Sequence, residues 1–171
     1  MGKLLGIAFI IGGMAGYLYS WQGKQRVCRD RVTDFITFLQ KCVFIMGTEN
    51  KKISHLLREY RGMTCELNVT LSEIARRLEL NIYPQGQSIW EEVFREKEQN
   101  WDVDKETFEL MIHAGNGFFG RNRGENICFL QKSIRELEEQ EKKNRERDTK
   151  ERKVWIPVGM LSGMMLVILL V

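Results

Sequence analysis

The sequence predicts an all-α fold: a six-helix bundle whose first and last helices continue into N- and C-terminal transmembrane helices. Three observations predict it. Apolar residues recur at steps of three and four almost throughout the middle of the chain, the period of one helix face. Two apolar runs, Leu4 to Trp21 and Val154 to Val171, carry no side chain that is charged at pH 7. All 23 acidic residues and every one of the 26 basic residues except Lys3 stand between those runs.

At about 1.5 Å of rise per residue each run covers about 27 Å as a helix, close to the thickness of a bilayer core. The first run closes on Tyr17, Tyr19 and Trp21, followed by Lys24, Arg26 and Arg29. Aromatic and basic residues at that edge suit a retained anchor at a membrane interface better than a cleaved leader. The excess of Lys and Arg between the runs then orients them, and three segments follow: a transmembrane helix over 1–21, a cytoplasmic helical domain over 22–153 and a transmembrane helix over 154–171. Gly159 and Gly163 form G-x-x-x-G in the second run, and Gly12 and Gly16 offer a small-residue face on the first, so the two spans are expected to pack through these glycines.

Within 22–153 the first helix carries Val32, Phe35, Ile36, Leu39, Val43 and Met46 on one face and breaks at Gly47. Thr48 is placed to cap a second helix with the face Ile53, Leu56, Leu57 and Tyr60, ending at Gly62. Thr70-Leu-Ser-Glu73 reads as a capping box opening the third helix, which stops before Pro84. Ser88-Ile-Trp-Glu91 repeats the pattern before a short fourth helix with the face Ile89, Trp90, Val93 and Phe94. Asn100 and Asp102 mark a turn, and Asp104 caps a fifth helix with Phe108, Met111, Ile112, Gly115 and Phe119 on its face. The sixth carries Ile127, Leu130, Ile134 and Leu137, and a run of mixed charges over 138–153 extends it toward the second apolar run. Leu80 to Tyr83 is the one candidate strand, too short to found a sheet.

Little in this layout carries chemistry. Gly115-Asn-Gly-Phe-Phe-Gly120 matches G-x-G-x-x-G, but a dinucleotide site needs a strand before the glycines and a helix opening on them. Here a helix precedes them, so a turn between the fifth and sixth helices is expected and no cofactor is assigned. His55 and His113 lack a ligand partner at metal-binding spacing. Cys28, Cys42, Cys65 and Cys128 contain no C-x-x-C pair and read as small apolar residues of a reducing compartment. Positive and negative charges between the runs nearly balance, which gives no footprint for nucleic acid. Asn116, Phe118, Arg121, Asn122 and Arg123, around the glycine turn, are the expected protein-interaction residues. A nucleotide- or phospholipid-binding membrane enzyme using Gly115 to Arg123 is the alternative.

The chain resembles stage III sporulation protein AB of endospore-forming bacteria, with departures that mark a divergent member. The resemblance rests on the glycine-rich first span, Trp90 in the mid-chain helix, the Gly159-Met-Leu-Ser-Gly163 span with its leucine and isoleucine tail, and above all the segment from Gly115 to Asn126. Family members carry a pattern like G-x-x-L-G-x-x-D followed by Gln; here Phe119 stands for Leu, Asn122 for Asp and Asn126 near the Gln, with one extra residue between Gly115 and Gly120. The resemblance implies a cytoplasmic domain similar to that of the type II secretion F protein and no enzymatic activity. It also implies a place on the mother-cell side of the sporulation channel, in the outer forespore membrane. The implied partners are an ATPase like stage III sporulation protein AA and other channel components, with a homo-oligomer compatible.

Overall fold

The computed structural model describes residues 26–49, 51–80 and 86–170, the side chains of 151–152, 154–156 and 158–170 excepted. Among the described residues seven α-helices follow in order: α1 (26–48), α2 (Ile53–Glu59), α3 (Cys65–Glu79), α4 (Gly86–Glu96), α5 (Glu98–Trp101), α6 (Lys105–Ala114) and α7 (Arg123–Leu170). A single 3-10 turn, Gly115–Gly117, follows α6, and the described residues contain no strand. The chain divides into two compact units, one of Cys28–Glu141 and one of Met1–Val27 with Lys142–Val171. Of the second, residues 26–27 and 142–170 are described, as the first residues of α1 and the helical remainder of α7.

The core of the Cys28–Glu141 unit is aromatic. Phe35 on α1 has Phe94 at 5.9 Å, edge-on, and Trp90 and Trp101 each at 6.3 Å. Trp90 and Phe94, one helical turn apart on α4, stack at 4.8 Å, and Phe94 stacks on Trp101 at 5.6 Å. Offset and edge-on rings gain about 0.5–1.5 kcal/mol a pair beyond the area they bury. The predicted faces of α1, α4 and α6 enter this core, as do Leu130, Ile134 and Leu137 of α7.

The helix starts depart from the sequence reading. Gly47 does not break α1, which continues through Thr48; the Thr48 hydroxyl donates back to the Phe44 carbonyl at 3.0 Å and does not cap α2. Neither predicted capping box opens a helix. Thr70 is buried inside α3, its hydroxyl donating to the Glu66 carbonyl at 2.7 Å, while Glu73 accepts from Arg76 and Arg77. Ser88 likewise lies inside α4, and Glu91 pairs with Arg95.

α3 opens five residues before Thr70 because a carboxylate from another helix reaches its N-terminus. Asp34 of α1 is buried, and its Oδ2 accepts from the Thr64 N–H at 2.8 Å and the Thr64 hydroxyl at 2.7 Å. The Tyr60 hydroxyl donates to Asp34 Oδ1 at 3.1 Å. Burial, then the Asp34 charge, push the Tyr60 phenol pKa well above its usual value. Asp104 does cap α6 as expected, accepting from the Thr107 N–H at 3.0 Å. The turn at Asn100 is tightened into α5, which buries Trp101 completely and ends on Asp102 at φ 47°, a left-handed conformation that Asp tolerates better than most residues.

Candidate functional site

The segment from Gly115 to Asn126 joins α6 to α7. α6 passes into the 3-10 turn with Gly115 still in right-handed helical backbone, and no described glycine has positive φ. What these positions need is the absence of a side chain. A Cβ at Gly115 would overlap the indole of Trp90, one at Gly117 would lie 2.6 Å from Leu130 Cγ, and one at Gly120 would overlap Asn126 Oδ1. The open faces of all three glycines are thus filled by protein atoms, an arrangement unlike a loop whose bare backbone approaches a phosphate.

Phe118, placed by its sequence among the interaction residues, is 1% exposed and lies 5.2 Å from Trp90 and 5.8 Å from Phe38. It belongs to the core because the 3-10 turn carries it inward. Asn122 sits just ahead of α7: its Oδ1 accepts from the Gly124 N–H at 3.0 Å, its carbonyl takes the Asn126 N–H, and its amide donates to Glu125 at 3.4 Å. This is N-capping, for which Asn and Asp rank about equally; the departure from Asp leaves the role filled. Asn126 is buried and donates to the Gly120 carbonyl at 3.1 Å.

Arg123 also acts within the fold. Its guanidinium donates to the carbonyls of Met46 and, at 2.7 Å, Glu49, the free acceptors at the end of α1. Asn116 and Arg121 are exposed. Gly12 and Gly16 lie outside the described residues, and Gly159 and Gly163 lie on α7 where only the helical backbone is described. Among the described residues no helix is long and apolar enough to cross a membrane; the first predicted span, and the side chains of the second apart from the exposed Pro157, fall outside them.

Asn116 stands at one end of an open groove of about 870 Å³ along α4 and α6. Arg95 of α4 bridges it, paired with Glu109 of α6 at 2.8 Å and with Glu91 at 3.4 Å. The Arg95 guanidinium holds the Glu109 carboxyl below the usual carboxylate range. His113 lies beside Phe129 at 5.2 Å, and His55 faces Glu59 at 3.3 Å. No group of three or more His, Cys, Asp or Glu converges among the described residues.

A family model, stage III sporulation protein AB, matches residues 3–171. The chain belongs to that family. In this chain the glycine turn and its flanking asparagines close a helical bundle around Trp90, and membership of the family implies a role in sporulation. No curated protein and no solved structure matches the chain.

Proposed function

We propose that this AB-family chain is a non-catalytic membrane platform of the sporulation channel between mother cell and forespore, docking a cytoplasmic secretion-type ATPase through its bundle. The observation that carries the reading is α7: the helix that supplies Leu130, Ile134 and Leu137 to the core is unbroken to Leu170. It therefore includes residues 154–170, which the sequence predicts as the second membrane span. A helical bundle like that of the type II secretion F protein, anchored in the outer forespore membrane on the mother-cell side, fits this arrangement. Asn116, Arg121, Asn122 and Arg123 are exposed along the segment that joins α6 to α7, and we take the ATPase to meet the bundle there.

Deletion of the gene in a spore former, with the full chain returned carrying an affinity tag, tests the proposal. Development is expected to stop after engulfment in the deletion, and the tagged chain is expected to co-purify from membranes with the ATPase. Normal heat-resistant spores in the deletion would sink the reading.

A further inference from the structure

We infer that the groove between α4 and α6 seats a basic amphipathic helix of a cytoplasmic partner protein, an inference that rests on the platform reading above. Its floor is apolar, with Ile112 buried and Leu110 half-buried against the core. Its lining is acidic on balance: Glu91, Glu106, Glu109 and Glu136 stand against Arg95 and Lys105, with Glu136 also paired to Lys132 at 3.6 Å and Glu106 accepting from Gln140 at 2.9 Å. Arg95 is already held by Glu91 and Glu109. Beside the floor, the side-chain oxygen of Gln87 is shielded from solvent and accepts no hydrogen bond.

Charge decides the class of occupant. An excess of carboxylates repels nucleic acid and anionic lipid surfaces and attracts Lys and Arg. The shape decides its form. Groove residues on α6 run from Lys105 to His113, about 12 Å of helix axis, a trough that suits apolar anchors at i, i+3, i+4 and i+7 of a docked helix. Lysines flanking those anchors would reach the rim carboxylates.

The test uses the full chain in detergent and a labelled synthetic helix about four turns long, with leucines at the anchor spacing and lysines on the flanks. Its counterpart carries glutamate for each lysine. The lysine peptide is expected to bind at least about tenfold more tightly than the glutamate peptide, and to weaken as salt rises. The double variant Glu91→Lys with Glu136→Lys should lose about tenfold or more, and Glu91→Gln with Glu136→Gln a smaller part. Glu98→Lys, on α5 away from the groove, should change nothing. Equal binding of both peptides, or no effect of either double variant, would overturn the proposal. So would self-association of the chain that the charge reversal abolishes, because the occupant would then be a second copy. Whether the wild-type chain co-purifies with the ATPase is read separately, so failure of the groove and failure of the platform reading are distinguishable.

Discussion

The indole of Trp90 lies directly against the Cα of Gly115, so close that a Cβ built there would stand 2.6 Å from both Trp90 Cγ and Nε1. Both partners are fully or nearly fully buried, and Phe94 and Phe118 pack against the same ring at 4.8 and 5.2 Å. Gly115→Ala should therefore destabilise the chain by about 1–3 kcal/mol, the usual cost of overpacking a filled core. Gly47, with open space at its Cβ position inside α1, is the control. Gly47→Ala should instead stabilise by about 0.5–1 kcal/mol through helix propensity. Denaturant unfolding of the two variants reads the opposite signs.

Asp34 joins α1 to the start of α3 through Thr64 and to Tyr60. Asp34→Ala strands a buried donor on Tyr60 and part-buried donors on Thr64, at about 1–3 kcal/mol for a buried donor left unpaired and less where water can reach, and should lower stability by about 2–3 kcal/mol. Tyr60→Phe should cost about 1 kcal/mol. The Tyr60 pKa is raised in the folded state, by burial first and then by Asp34, so the contribution is fully present below the unfolded tyrosine pKa of about 10 and is lost as pH rises beyond it. Wild type should lose stability above that pH more steeply than Tyr60→Phe, measured by urea unfolding across an alkaline series.

Glu73 answers to the opposite limb. Hydrogen bonds from Arg76 and Arg77 lower its pKa to about 2. Its contribution is present above the unfolded glutamate pKa of about 4.3 and is lost as pH falls through about 2. The group is partly exposed, so solvent screening keeps the loss in Glu73→Gln to about 1 kcal/mol or less at neutral pH. The gap between variant and wild type should narrow between about pH 5 and pH 2, as followed by thermal unfolding.

The cap of α7 can be dissected at one position. Asn122→Ala removes the acceptor for the Gly124 N–H and should cost about 1 kcal/mol. Asn122→Asp, which restores the residue expected in the family, keeps that acceptor and should change stability by no more than a few tenths of a kcal/mol. A loss as large as that of the alanine variant would show that the Asn122 amide donation to Glu125 matters more than the cap.

The sequence by itself determined the helical class, the buried faces of α1, α4, α6 and α7, and the cap at Asp104, because each depends on residues within a turn or two of one another. It also marked Gly115 to Asn126 as distinctive. Only the tertiary structure decided where α3 begins, since its N-terminal partner Asp34 stands 30 positions away on α1. The same holds for Arg123, which ends α1 from 74 positions distant, for Trp101, which α5 turns into the core, and for Phe118, which its turn carries inward. A local pattern such as Thr70-x-x-Glu73 says what a helix start can use; a buried carboxylate arriving from another helix changes which start is used. The glycine motif shows the same division. Its spacing was legible along the chain, but that the spacing serves Trp90, Leu130 and Asn126 is a property of the packed bundle, where only a missing side chain lets three elements meet.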